Sequence, residues 1–431
     1  MNKDELERLV EELYLYRDLY VERESGTQAP QKSIDVERKM VEVMEILDAN
    51  QHSIENKAEY YMLKGKCFNV ASHYDQRAEE SLSKAVKLDP SLVEAWNNLG
   101  ECFWKKSDIS AAKDCFTGAL QHKINKVSLR NLSMVLRQFG KTEEEKLEHV
   151  SSSVIKAREA VQLDVSDGTS WFVLGNAYLA QFFGGTQSDA VISACMKAYA
   201  QAEKDPVAKN NPDLHYNRSM CSLYQSEFQA AAQGFKQAAR LDPSSDLPSK
   251  KLESLKYYLT SLSTMVETKC SMDGKTRLQK IISSINDSQL GSFGGGMYNG
   301  PSGKSVPLSK ISFTDLQEGA NKEKVVCGKV LGSLSVEPAI PYTFIYVDKD
   351  SNAIAVCLYN VSHTYGLKTG DSVAIAEPHL MSTEVQVSED KETIKFRLLR
   401  VQTPMLMVVN GKKLGIEKQA PAKLSITAQS E

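Results

Sequence analysis

The sequence predicts a mainly α chain: a solenoid of stacked helical hairpins followed by a small β-barrel. Three observations carry this. A pattern of Trp, Leu, Gly and an aromatic, followed by spaced Ala and Phe, returns several times before residue 266. After about residue 307 the hydrophobic period changes from helical to alternating. Between the two lies a Gly/Ser-rich stretch, 288–306, of the composition that linkers use.

The elements follow in chain order. Residues 2–24 carry a broad apolar stripe through Leu6, Leu9, Val10, Leu13, Tyr14, Tyr16, Tyr20 and Val21, which predicts a helix. Ser25 to Gln31 breaks it with Gly26 and Pro30. A second helix runs to about Leu47, with Val36, Met40, Val43, Met44 and Leu47 on one face. Residues 1–57 therefore form N-terminal helices ahead of the repeats.

The array itself spans 58–266. Trp96, Leu99, Gly100 and Phe103, then Ala112, Phe116 and Ala119, match the tetratricopeptide template W-x2-L-G-x2-Y, A-x3-F-x2-A. The spacing has a packing reason. Small residues stand where the two helices of a hairpin touch, and aromatics fill the gaps between neighbouring hairpins. Tyr61, Gly65, Phe68, Ala78, Leu82, Ala85 and Pro90 make an earlier copy. Trp171, Leu174, Gly175 and Tyr178 open a later one, with an inserted loop around Phe183–Ser188. His215, Ala231, Phe235, Ala238 and Pro243 make another. A hidden copy, NKVSLRNLSMVLRQFG plus SSSVIKAREAVQLD, has Leu129 and Ser133 in place of Trp and Gly. The charged insertion KTEEEKLEH is expected between its helices. KKLESLKYYLTSLSTMV, ending at Val266, reads as a terminal helix that caps the array against solvent.

A basic segment follows with Lys269, Lys275, Arg277 and Lys280, and then the Gly/Ser-rich linker, together 267–306. VVCGKVLGSLSV, YTFIYVD, AIAVCLYNV, DSVAIAEPHL and IKFRLLRV are then five strand-like runs within 307–418. They suggest an OB-type barrel. The tail 419–431 reads as disordered.

Composition bounds the function. A length of 431 residues suggests two or three domains. With 52 Lys+Arg against 55 Asp+Glu, bulk positive charge cannot drive nucleic-acid binding, though a local basic patch can. No apolar run approaches the roughly 18 residues that span a bilayer, so no membrane partner is expected. The opening MNKDELERLVEELY lacks a signal-peptide core. None of the eight cysteines forms a CxxC pair, which predicts reduced, mostly buried thiols in cytosol or nucleus. The seven histidines show no HExxH spacing, and no metal or other cofactor is expected. GPSGKS at 300–305 is no phosphate loop, because Tyr298 stands where the first Gly is needed. No nucleophile, base and orienter come together in a recognisable motif, so the chain is read as a non-enzyme.

The repeat points to binding instead. In such solenoids the first helix of each hairpin lines a concave groove. Its outward positions nominate Asn97, Asn98, Lys105, Arg137, Asn176, Asp213, Asn217 and, beyond the last copy, Asp246. Asn side chains can hold a peptide main chain, and Arg137 and Asp213 offer opposite charges. An extended peptide with one acidic and one basic side chain fits that set. The basic segment could contact RNA phosphates. The barrel strands are not notably basic, so protein contact there is at least as well supported as single-stranded nucleic acid.

The segments AEESLSKAVKLDPSLVEAWNNLGECFWKK, NKVSLRNLSMVLRQ, NPDLHYNR, GDSVAIAEP and VVNGK, with this array and barrel in one chain, closely resemble the tetratricepeptide repeat protein 5 (Strap) family over almost the whole length. The resemblance implies an adaptor that recognises the N-terminal Met-Arg-Glu of nascent α- and β-tubulin at the ribosome and triggers tubulin mRNA decay. It also implies a stress-responsive nuclear scaffold, which joins an acetyltransferase coactivator to an actin-nucleating cofactor in p53-dependent transcription. Cytoplasmic and nuclear locations go with these roles. On the resemblance, Arg137 pairs with the peptide glutamate, and Asp213 and Asp246 with its basic end. Asp246 is shorter than the glutamate expected there. Lys275 and Arg277 correspond to positions that touch the ribosome.

Overall fold

The computed structural model describes residues 1–20, 31–185, 187–271, 275–300, 305–334, 341–362, 364–386 and 393–420. The expected break at 25–30, most of GPSGKS and the tail from 421 lie outside these residues. The chain divides into two compact units. One comprises Met1–Cys221 and Gly234–Pro248, the other Ser222–Gln233 and Ser249–Pro421.

The first unit is the helical array. Helices α1 (Lys3–Asp18) and α2 (Lys32–Ala49) precede it. Leu6, Val10 and Leu13 of α1 share one core cluster with Val36, Met40, Val43, Met44 and Leu47 of α2 and with the first repeat. The repeats pair α3 (Lys57–Phe68) with α4 (Gln76–Leu88), α5 (Val93–Lys105) with α6 (Ile109–His122), and α7 (Lys126–Leu136) with α8 (Glu143–Leu163). They continue with α9 (Gly168–Gly184) and α10 (Asp189–Ala202), then α11 (Pro212–Tyr224) and α12 (Phe228–Leu241), of which Ser222–Tyr224 and Phe228–Gln233 belong to the second unit.

Local chemistry sets many of the starts. The side chains of Asn2, Asn56, Asp75, Asp108, Asn125 and Asp167 each accept a first-turn backbone N–H. Thr142 and Glu145 form a reciprocal capping box. That box corrects one expectation. KTEEEKLEH is no loop between helices, because all but its first two residues are the opening turns of the 21-residue α8.

One contact recurs at each hairpin crossing. A methyl group on Gly65 would lie 2.5 Å from the Leu82 side chain, one on Gly100 2.5 Å from Phe116, and one on Gly175 2.5 Å from Tyr199. The hidden hairpin has two hydroxyls instead, with Ser133 and Ser153 hydrogen-bonded at 2.9 Å. In the last hairpin the order is inverted, and Gly234 of α12 makes room for Ser219 of α11. The tryptophans secure the turns between hairpins. Trp96 Nε1 donates to the Pro90 carbonyl at 2.8 Å and Trp171 Nε1 to the Val165 carbonyl at 2.9 Å. The hidden hairpin, lacking Trp, is tied by Lys126 to Asp164 at 2.7 Å and by Arg130 to Asp167 at 3.2 Å.

The second unit is an OB-fold barrel. Its strands are β1 (Met297–Asn299), β2 (Ser305–Pro307), β3 (Ser309–Lys310), β4 (Gly319–Ala320), β5 (Lys324–Leu334), β6 (Tyr342–Val347), β7 (Ala353–Leu358), β8 (Ser372–Ala376), β9 (His379–Gln386), β10 (Thr393–Val401), β11 (Met407–Val409) and β12 (Lys412–Lys413). β5, β6 and β7 form an antiparallel meander, β10 runs parallel to β7, β9 pairs with β10, and β8 pairs with β5. β8 and β9 are one run bent at Glu377, whose φ is 47°, and Pro378. Counted as one, they carry the pairing from β10 back to β5, the Greek-key closure of this barrel. Phe344, Tyr346, Val356, Ile375, Leu399 and Val401 fill the interior.

Two further expectations change here. The Gly/Ser-rich 288–306 is not a free linker in its described part. Leu290, Phe293 and Tyr298 are buried against Val325, Cys327, Ala374 and Ala376 on the outer face of β5 and β8. The helix read as a solvent cap, α13 (Leu247–Glu267), buries Leu255, Tyr258, Leu259 and Leu262. The Tyr258 hydroxyl lies 2.9 Å from Thr343 Oγ1 and 3.3 Å from Cys357 Sγ, so from Ser249 onward the helix covers β6 and β7. The basic segment contains a short helix, α14 (Lys275–Ser283). All eight cysteines are free thiols and all but Cys270 are buried. No helix among the described residues is long and apolar enough to cross a membrane.

Candidate functional site

The first helices of successive hairpins pack side by side, α3 on α5, α5 on α7 and α7 on α9. Their shared face is the wall on which the nominated side chains stand.

Arg137 follows the last turn of α7. Its guanidinium makes one long contact, 3.5 Å, to the Val173 carbonyl, and among the described residues it has no carboxylate partner. Burial pulls its pKa down to about 10, with the nearby Tyr199 opposing. It therefore stays cationic at neutral pH, and the shift expresses how much water it has lost. An unpaired, desolvated cation costs stability unless a partner arrives.

Asp213, in the first turn of α11, is the complement. Its carboxyl pKa is raised, first by loss of water and then by Asp242. Although its own surface is open, its surroundings are crowded with protein, and no cation neutralises it among the described residues. Cation and anion thus stand on one wall without pairing internally.

Two asparagines between them are held in fixed orientation. Asn176 Oδ1 accepts from Tyr199 Oη at 2.8 Å and from Asn217 Nδ2 at 3.1 Å. This leaves the Asn176 amide N–H and the Asn217 Oδ1 without partners among the described residues, one donor and one acceptor, as a peptide bond requires. Tyr199 is fully buried, and burial drives its phenol well above its ordinary value, so it remains a donor. Sequence reasoning missed Tyr199. Its signal was available: where Leu82 and Phe116 fill the hairpin crossing, this repeat has a phenol, whose hydroxyl must find a partner when buried.

The remaining nominees divide. Asn98 spends its amide on the Glu94 carbonyl of its own helix at 2.9 Å and leaves Oδ1 without a protein partner among the described residues. Asn97 is used up in packing. It accepts from Ser128 Oγ at 2.6 Å and donates to Asn125 Oδ1 at 3.4 Å. Lys105 is internal too. Its ammonium donates to the Asn69 and Ala71 carbonyls at 2.5 and 2.7 Å and to Asn69 Oδ1 at 2.9 Å, and burial pulls its pKa down to about 8. These two do not serve a ligand, because their polar atoms stitch one hairpin to the next. Lys105→Met is accordingly expected to cost about 1–3 kcal/mol in a thermal melt, through acceptors left unmatched, while peptide affinity stays within twofold of wild type.

Asp246 is exposed just ahead of α13 and belongs to the first unit. Lys275 opens α14 and its side chain lies outside the described set, whereas Arg277 and Lys280 on that helix are exposed. Among the described residues no His, Cys, Asp and Glu cluster is arranged to hold a metal.

Comparison with known proteins places the chain. Residues 307–423 match the model of the tetratricopeptide repeat protein 5 OB fold domain, and 93–121 that of the tetratricopeptide repeat. Human tetratricopeptide repeat protein 5 is 44% identical over 428 residues, covering 99% of this chain and 97% of the human one. The chain belongs to the tetratricopeptide repeat protein 5 family. The mouse member is 43% identical over 431 residues, with the same coverage. The family's barrel and its repeats both recur here as folded units, and the tetratricopeptide array is a protein-interaction adaptor. Among solved structures, YrrB, a tetratricopeptide repeat protein with an unusual peptide-binding site, aligns at 18% identity and a TM-score of 0.33, over 48% of this chain and 96% of its own.

Proposed function

We propose that this protein captures the N-terminal Met-Arg-Glu of nascent α- and β-tubulin at the ribosome and so marks the translating mRNA for decay. One observation carries the reading: an Arg137 guanidinium and an Asp213 carboxyl, neither with an ion-pair partner among the described residues, flank a pre-oriented Asn176–Asn217 pair. A peptide with Glu for Arg137 and a basic end for Asp213 and Asp246 would neutralise both charges, and its main chain would meet the two amides. Asn98 extends the polar wall toward the preceding hairpin. Isothermal titration with a Met-Arg-Glu-led peptide, and with its Glu→Lys counterpart, tests the pairing. Equal affinity for both would end it.

Ribosome contact is assigned to Lys275 and Arg277 on α14. A cationic helix on ribosomal RNA and a peptide in the trough reinforce each other, because the second contact forms at high effective concentration. The double change Lys275→Glu, Arg277→Glu is expected to reduce co-sedimentation with ribosomes several-fold, most clearly as salt is raised. Undiminished sedimentation would remove α14 from the interface.

The second reading is the nuclear scaffold for an acetyltransferase coactivator, an actin-nucleating cofactor and p53-pathway proteins. It is favoured by the barrel, a complete folded unit that peptide capture in the array does not call on. On these readings the protein works in cytoplasm and nucleus.

A further inference from the structure

The barrel unit contains a second site with chemistry of its own. A cavity of about 410 Å³ is bounded by the end of α13, the turn at Phe313, the start of β7 and the middle of β10. Its floor is apolar, made by Phe313, Ile354 and Phe396, all buried. Its rim carries Lys269, Lys395 and Arg397 against one carboxylate, Glu267.

The cations differ in how they are engaged. Lys395 pairs with Glu384 at 2.8 Å, an exposed pair that is easily exchanged. Lys269 gives one hydrogen bond, to Ser351 Oγ at 2.9 Å, and Arg397 one, to the Leu316 carbonyl at 3.2 Å. Neither meets a carboxylate within ion-pair reach among the described residues. Asn352 commits its amide N–H to Asp348 at 2.9 Å, which leaves Oδ1 to accept from a ligand.

Arg397 feels the Glu318 carboxylate without pairing with it, and an apolar floor beneath such loosely engaged cations selects a ligand with one large apolar group and flanking negative charge. We propose that this cavity docks an acidic protein segment presenting a single large apolar side chain. The apolar side chain would enter above Phe396, its neighbouring carboxylates would meet Lys269 and Arg397, and a backbone N–H would reach Asn352. A single-stranded nucleic acid fits less well. Base stacking needs an open aromatic face, and Phe313 and Phe396 are only 3% and 9% exposed.

The test uses the full chain and a short fluorescein-labelled peptide of alternating Glu and Ser around one central Phe, followed by anisotropy. Binding is expected to weaken about tenfold or more in Lys269→Glu, Arg397→Glu, to weaken as salt rises, and to be lost when the peptide's Phe is replaced by Ser. It should persist in Arg137→Ala, which separates this site from the trough. If the charge reversal unfolds the unit, Lys269→Gln, Arg397→Gln with an unchanged melt serves instead. Equal affinity in the folded variant would overturn the proposal, as would equal binding of the Ser peptide. An oligouridylate that binds more tightly than the peptide, and loses binding in the same variant, would reassign the cavity to nucleic acid.

Discussion

Replacing Arg137 with Ala is expected to weaken binding of a Met-Arg-Glu-led peptide by about 30-fold or more, while the melting temperature stays level or rises. The two halves of that result have one cause. The guanidinium sits in a dehydrated position with, among the described residues, no carboxylate and one 3.5 Å contact. In the free protein it therefore contributes little to the fold and carries a desolvation cost. In the complex it would pair with the peptide glutamate, and truncating one partner of such a pair costs about 2 kcal/mol or more. Fluorescence anisotropy reads the affinity and a thermal melt reads the fold. An unchanged dissociation constant would refute the assignment. A lost affinity with a collapsed melt would show instead that Arg137 is structural, in which case Arg137→Lys, keeping charge but not the fork, should rescue the fold.

Gly175→Leu is expected to impair stability and affinity together, whereas Gly100→Leu impairs stability alone. Both glycines sit at a hairpin crossing where even a methyl would press within 2.5 Å of an aromatic ring. Overpacking of this kind costs about 1–3 kcal/mol, offset by up to about 1 kcal/mol from the better helix former. The difference lies in what the ring does. Phe116, behind Gly100, only fills space. Tyr199, behind Gly175, holds Asn176, which in turn holds Asn217. Displacing Tyr199 frees both amides to rotate, and affinity should fall about 5- to 10-fold beyond any loss from unfolding. Peptide titration of the two variants, at a temperature where both are folded, separates the effects. Equal affinity loss in both would mean that the amide pair does not clamp the peptide.

The sites were legible to different depths. Arg137 and Asp213 could be nominated because the repeat fixes which positions of a first helix face inward. Asn97 and Lys105 satisfied the same rule and are nevertheless consumed. Whether an inward polar group is spent depends on what the next hairpin offers it. Ser128 happens to stand opposite Asn97, and the carbonyls of residues 69 and 71 happen to end near Lys105. No spacing rule encodes that. The cavity between α13 and β10 was invisible for a related reason, since its walls come from segments more than a hundred residues apart.

By itself the sequence determined the repeating elements: the helical hairpins, because each repeat states its own small-against-large contact, and the five runs of the barrel, because alternation and turn residues are local. The tertiary structure decided what covers what. β8 reads Ser-Val-Ala-Ile-Ala and is buried throughout, so its outer face needed a lid, and only the fold showed that the Gly/Ser-rich stretch provides it through Leu290, Phe293 and Tyr298. In the same way α13, apolar enough to end an array against solvent, covers β6 and β7 instead. Apolar surface is buried without regard to direction. A sequence can therefore announce that a face must be hidden, but the partner that hides it is settled by which segment the folded chain brings within reach.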